Sequence, residues 1–157
     1  MNGMYKNKVR VYNKYMIIIL NILILFILLG LSLIDIKYRL IPNVYIIAIF
    51  FIYPLWVINM PMAPYKFLLL SYLSSFLNLF IISIGGFISK KKLGGGDFKL
   101  IGILSLFLVF PYSLIALFIS MLSALVYLFI KKEKNLAMGP FISFGFIIFI
   151  TKKALGI

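Results

Sequence analysis

Six apolar segments separated by short polar stretches organise the chain. Each is a continuous apolar run, unlike the alternation of apolar and polar positions that is typical of membrane β-strands. The pattern predicts an all-α membrane protein of about six transmembrane helices, built as a single domain over residues 1–157. A basic tail at residues 1–15 precedes the predicted spans, which cover residues 16–34, 43–60, 67–88, 98–110, 112–130 and 139–150.

The fourth segment is too short to cross a bilayer by itself. From Asp97 to Phe110 it has about 14 residues, which cover about 21 Å as a helix, whereas the hydrocarbon core is about 30 Å thick. The glycines at residues 94–96 precede it, and irregular backbone at membrane depth requires surrounding protein or water. We therefore expect a polar cavity that opens to one side of the membrane and holds Asp97.

Composition restricts the available chemistry. The chain is 64% hydrophobic, far above the value of about half that is typical of soluble domains. It contains no cysteine and no histidine. Disulfides, thiolate metal sites and histidine-based catalysis are therefore excluded, and we expect neither a metal nor a cofactor.

The charge is strongly basic, with 16 Lys and Arg against three acidic residues and a formal net charge of +13. Such a balance is also found in nucleic-acid-binding proteins. Here the cations lie between apolar segments, where they anchor transmembrane helices to anionic lipid. We therefore expect membrane lipid as a partner and no nucleic acid.

The cations also bear on orientation, because cytoplasmic loops carry an excess of Lys and Arg. One alternate set of loops holds Lys37, Arg39, Lys90, Lys91, Lys92, Lys99, Lys131, Lys132 and Lys134. The other set holds Lys6, Lys8, Arg10, Lys14, Lys66, Lys152 and Lys153. The first set is larger by only two charges, and the basic N-terminal tail argues against placing it in the cytoplasm.

Two of the three acidic residues border apolar segments. Asp35 ends the first and Asp97 begins the fourth, whereas Glu133 lies in a lysine-rich loop and is expected to be a solvated counter-charge. A structural role remains open for each aspartate, since Asp35 could pair with Arg39 and Asp97 could cap a helix. Two carboxylates in one cavity of low dielectric constant would instead share a proton and could act as general base and general acid.

Three motifs around these residues resemble type IV prepilin peptidases. DIKYRLIPN at residues 35–43 is similar to their D-x-x-x-R-x-I-P-N segment, and GGGDFKL at residues 94–100 to their G-x-G-D-x-K-L segment. MGPF at residues 138–141 is similar to the end of their late P-F-G-P-F motif, with Met138 where Phe is usual. The order and the spacing of the motifs also agree.

The resemblance implies an intramembrane aspartic endopeptidase of the cell membrane, which cleaves basic leader peptides from prepilin-like membrane proteins at the cytoplasmic face. It places both aspartates on the cytoplasmic side. The implied catalytic pair is Asp35 and Asp97, and the implied supporting residues are Arg39, Pro42, Asn43, Gly94, Gly96, Lys99, Gly139 and Pro140. In this interpretation Gly94 and Gly96 let the backbone bend, and Pro42 occupies the first turn of the second helix.

The resemblance is to the short members of the family, such as peptidases of tight-adherence (Flp) pili or archaeal preflagellin peptidases. Longer members carry a four-cysteine region and also methylate the new pilin terminus. Since this sequence contains no cysteine, we do not expect methyltransferase activity.

Two other interpretations remain. A presenilin-type or signal-peptide-peptidase-type protease would carry Tyr-Asp within a helix and a later Pro-Ala-Leu, but this chain has Ile34-Asp35 and lacks Pro-Ala-Leu. A membrane carrier without enzyme activity would explain intramembrane carboxylates. It would not explain the glycine-rich GGGD segment or the Ile-Pro-Asn turn.

Overall fold

The computed structural model describes residues 2–59, 64–89, 94–131 and 136–155. Within these ranges all regular structure is helical, as predicted, and there are six helices. Their bounds are α1 Asn2–Tyr38, α2 Asn43–Ile58, α3 Pro64–Ser89, α4 Gly95–Leu106, α5 Tyr112–Lys131 and α6 Gly139–Leu155. The predicted solvated position of Glu133 and the cations at residues 90–92, 132 and 134 lie outside the described residues.

Two helices at the candidate site have bounds that differ from the predicted membrane spans. The first helix continues beyond the predicted span 16–34 to Tyr38, and it also extends back through the basic tail to Asn2, since no proline interrupts residues 2–38. The fourth helix is Gly95–Leu106 rather than 98–110, so Asp97 lies within its first turn. The sixth helix continues past residue 150 to Leu155.

Long apolar helices make this a membrane protein. In the part of the chain that the structure describes, three are long and apolar enough to cross a bilayer, over Tyr15–Tyr38, Tyr65–Phe87 and Tyr112–Lys131. Large apolar side chains on these helices, such as Phe26, Phe76 and Phe118, are about two-thirds exposed. A soluble protein would not expose apolar surface on this scale, whereas lipid covers it in a membrane.

The short helix α4 lies in the centre of the bundle. Every residue from Leu100 to Leu106 is buried, and α4 packs against α2, α3 and α6. Polar side chains of α3 bind it: Ser75 Oγ donates a hydrogen bond to the Gly102 carbonyl at 2.7 Å, and Asn78 Nδ2 donates to Ser105 Oγ at 2.7 Å. Surrounding protein thus encloses a helix that could not span the bilayer by itself.

Candidate active site

A cavity of about 380 Å³ opens at one end of the bundle. It is lined by Asp35 near the end of α1, by residues 39–43 between α1 and α2, and by residues 94–97 at the start of α4. The two aspartates predicted from the sequence therefore border the same space. The cavity also brings together Arg39, Pro42, Asn43, Gly94 and Gly96, which the resemblance had grouped as supporting residues.

Asp35 lies in the last turn of α1, and its side chain is only 4% exposed. The backbone N–H of Gly139, the first residue of α6, donates a hydrogen bond to its Oδ2 at 2.7 Å. This bond joins residues 104 positions apart and places the Asp35 carboxylate at the N-terminus of α6. A helix N-terminus carries partial positive charge, so the contact stabilises a negative charge on Asp35.

Arg39 ends α1 in a left-handed conformation. Its φ is 53°, and its backbone N–H donates to the Asp35 carbonyl at 2.8 Å. This conformation is usual for glycine at a helix end, whereas a residue with a Cβ is strained there. The turn directs the chain from α1 into the wall of the cavity, where Arg39 itself is a lining residue.

Asp97 is not the N-cap residue of α4, which was the purely structural role left open for it by the sequence. The N-cap residue is Gly94, and Asp97 lies in the first turn, partly buried, outside the three candidate membrane spans. Burial, and then the nearby negative charge of Asp35, raise the pKa of Asp97 to about 6. Asp97 therefore retains a proton at a pH where an ordinary aspartate is ionised.

Gly94 and Gly96 lie where space is short and have no backbone conformation that requires glycine, which differs from the bending role that the sequence suggested. Gly94 has an ordinary φ of −58°, and no left-handed backbone occurs at Gly96. A Cβ on Gly94 would lie 2.8 Å from Oδ2 of Asp97, and one on Gly96 would lie 2.8 Å from Cβ of Ile41. A Cβ on Gly95 would meet nothing within 4 Å.

The turn before α2 joins the other side of the cavity to α4. Pro42 is the N-cap residue of α2, one position ahead of the first turn that the sequence had suggested, with extended backbone. Asn43 begins the helix, and its Oδ1 accepts a hydrogen bond from Nζ of Lys99 at 3.1 Å. Lys99 lies one turn into α4, just beyond the lining residues 94–97, so this bond joins α4 to the cavity-lining start of α2.

Three helices begin around the two carboxylates. Asn43 of α2 and Gly95 of α4 line the cavity, and Gly139 of α6 binds Asp35. Each helix N-terminus contributes partial positive charge from its unbonded N–H groups. The site is thus suited to hold negative charge at Asp35 although no histidine or metal-binding cluster is available among the described residues.

Sequence reasoning did not find two contacts that shape the site. Ile41 is buried against Gly96, which fixes how closely α4 approaches the turn before α2. Ser32 and Ser143 lie 3.4 Å apart between α1 and α6. The available signal was helical spacing, because Ser32 precedes Asp35 by one turn and Ser143 follows Gly139 by one turn.

The fold and the cavity together define a helical membrane protein with a pair of aspartates at one end of its bundle. The sequence profile of the type IV leader peptidase family matches residues 22–129, which include Asp35 and Asp97 and end before Gly139. The match covers more than half of the chain, and the chain belongs to this family of peptidases. Comparisons with curated proteins and with solved structures give no match.

Proposed function

We propose that this protein is an intramembrane aspartic endopeptidase that removes the basic leader peptide from type IV prepilin-like or preflagellin-like membrane proteins. Membership of the leader peptidase family supports the reaction class. The observation that carries the aspartic mechanism is the placement of Asp35 and Asp97, the only two aspartates of the chain, on one cavity.

In this mechanism the pair begins the reaction with one proton between its two carboxyl groups. Asp35 is ionised and takes a proton from water as the water oxygen attacks the carbonyl carbon of the scissile peptide. Asp97 gives its proton to the carbonyl oxygen. Asp35 then passes the proton that it took from water to the leaving amine as the C–N bond breaks, and Asp97 takes back a proton from the hydroxyl of the intermediate, which restores the starting pair. The raised pKa of Asp97 supports its role as the acid.

The proposed membrane arrangement has six spans, with the cavity at the cytoplasmic face of the cell membrane. The ends of α1, α2, α4 and α6 that meet at the cavity lie on one side, as alternating spans require. Arg39 and Lys99 bring positive charge to this side, where anionic lipid head groups are partners of the protein.

The test is cleavage of a purified prepilin-like protein by the purified peptidase in lipid nanodiscs. We expect a single cut at the end of the basic leader, detected by mass spectrometry, and no effect of a metal chelator. Absence of the cut with prepilin-like substrates of several types would contradict the proposal. A flux of ions or protons through liposomes that contain the protein, without cleavage, would indicate the carrier instead.

A further inference from the structure

The start of α6 is built around the contact between Gly139 and Asp35. The Gly139 N–H lies 2.7 Å from Oδ2 of Asp35. A Cβ at position 139 would lie 2.7 Å from the same oxygen and 3.2 Å from Cβ and Cγ of Asp35. A side chain at these distances would push the Asp35 carboxylate aside, whereas glycine lets the backbone come this close without displacing it.

The three residues after Gly139 do not compete with it as hydrogen-bond donors to Asp35. Pro140 has no N–H. The N–H groups of Phe141 and Ile142 both donate to the Met138 carbonyl, at 3.1 and 3.0 Å. The Gly-Pro pair therefore has a physical explanation in this structure: glycine provides the space and the N–H, and proline adds no competing donor.

Further contacts fix the position of α6 along α1 and α5. One turn beyond Asp35 and Gly139, Ser32 Oγ and Ser143 Oγ lie 3.4 Å apart between α1 and α6. Deeper still, α6 approaches α5 so closely at Gly145 that a Cβ there would overlap Ser120 Oγ. The Gly139 amide is thus held by packing on two helices, as a preorganised donor requires.

We propose that the backbone N–H of Gly139 is a positioning group of the catalytic pair, which holds Oδ2 of Asp35 and leaves Oδ1 as the oxygen that takes the proton from water. A carboxyl oxygen that accepts this N–H hydrogen bond has one lone pair fewer for a proton, so the bond favours proton uptake at the other oxygen. The inference rests on the proposed peptidase function and assigns separate roles to the two oxygens of Asp35.

The charged groups around Asp35 agree with this assignment. Asp97 of α4 and Arg39 of the turn after α1 line the same cavity as Asp35, and Lys99 lies two residues beyond Asp97 on α4. The first eight residues of α6, Gly139 to Phe146, contain no charged side chain. The first part of α6 therefore interacts with the Asp35 carboxylate through the hydrogen bond from the Gly139 N–H and not through a charged side chain.

The decisive experiment replaces the Gly139 amide by an ester, with glycolic acid introduced at position 139 by nonsense suppression. The ester lacks the N–H and adds no side chain. We expect kcat to fall about tenfold or more with little change in KM, because a hydrogen bond to a charged group is lost. An ester at Gly85, which lies on α3 and does not line the cavity, is the matched control and should retain wild-type kcat.

A second pair of variants uses ordinary substitutions. Gly139→Ala should displace the Asp35 carboxylate and lower kcat, whereas Gly85→Ala meets no atom within 4 Å and should be silent. If Gly139→Ala fails to fold, the ester variant decides the question. Wild-type kcat in the Gly139 ester would overturn the positioning role.

A spectroscopic measurement separates this inference from the proposed function. In protein labelled with ¹³C at the aspartate carboxyl groups, the infrared band of Asp35 is the one lost in Asp35→Asn. We expect this band to shift in the Gly139 ester and to stay unchanged in the Gly85 ester. An unchanged band in both esters would overturn the contact, while failure of the wild-type protein to cleave any substrate would overturn only the peptidase function.

Discussion

Lys99 Nζ donates a hydrogen bond to Oδ1 of Asn43 at 3.1 Å, across 56 positions of the chain. The bond joins the first residue of α2 to the first part of α4. Both helix ends contribute residues to the lining of the cavity that holds Asp35 and Asp97. Lys99 is exposed, so the bond is expected to set the geometry of the site more than the stability of the fold.

Loss of either partner of this bond should therefore have the same effect. We expect Lys99→Met and Asn43→Ala each to lower kcat/KM about fivefold to tenfold, and the double variant to be little worse than either single one, because both remove one interaction. Lys66→Met, an exposed lysine of α3 away from the cavity, is the control. Fully additive losses in the double variant would show that the two side chains act separately.

The glycines of the GGGD segment should differ in their tolerance of a methyl group. Gly94→Ala places a Cβ against the Asp97 carboxylate, and Gly96→Ala places one against Ile41, so both should strongly reduce cleavage. Gly95→Ala enters open space and should change activity by no more than about twofold to threefold. The measurement is kcat/KM for leader cleavage at matched amounts of folded protein. Equal losses at all three positions would contradict the spatial explanation.

Activity should fall as the pH rises through about 6. Below this pH Asp97 is protonated and available as the acid, and above it Asp97 ionises, since burial and the charge of Asp35 raise its pKa to about 6. The measurement is kcat/KM between about pH 5 and about pH 8, where a raised aspartate would titrate. A profile that rises steadily through this range would contradict the assignment of the proton to Asp97.

Removal of the Asp35 charge provides the corresponding control. In Asp35→Asn the chain has a single aspartate, so ¹³C labelling reports Asp97 alone. Its pKa should be lower than in the wild-type protein, because the Coulomb repulsion from Asp35 is gone while the burial remains. An unchanged titration of Asp97 would show that the two carboxylates do not interact.

Replacement of Arg39 by glycine should raise the thermal stability of the protein and lower its cleavage activity. The φ of 53° at Arg39 costs about 1 kcal/mol for a residue with a Cβ, so Arg39→Gly should raise the thermal stability of the protein. The same substitution removes a cation from the cavity wall and should weaken cleavage. Thermal unfolding in nanodiscs and kcat/KM check the two effects. Higher stability with unchanged activity would show that the guanidinium has no part in the reaction.

The sequence was sufficient to predict six helices and to single out the two aspartates that line one cavity, because apolar runs and scarce acids are local features of the chain. It could not predict that α4 begins at Gly95, since the glycines there give no apolar signal and the helix is stabilised by its enclosure in the bundle. The hydrogen bond between Gly139 and Asp35 could not be predicted from the sequence for a related reason. It joins residues 104 positions apart and depends on how α6 packs against α1.

The difference between local sequence features and packing also explains why the role of Gly94 and Gly96 was not predicted. Their identity was visible in the motif, and their conformational freedom was a reasonable explanation for both of them. The structure instead has Gly94 beside Asp97 and Gly96 beside Ile41. Which side chains lie across from a glycine is a property of the packed fold, and the spacing of residues in the sequence does not contain it.

The most direct test of the account is leader cleavage by Asp35→Asn and Asp97→Asn. Asparagine keeps the size and most hydrogen bonds of aspartate but cannot exchange a proton. Each variant should lose several orders of magnitude in kcat/KM, and the double variant should be little worse, as for catalytic groups that act as a unit. Glu133→Gln, which changes the one remaining acid of the chain, is the control and should be nearly silent. Substantial cleavage by either aspartate variant, at matched amounts of folded protein in the membrane, would contradict the aspartic mechanism.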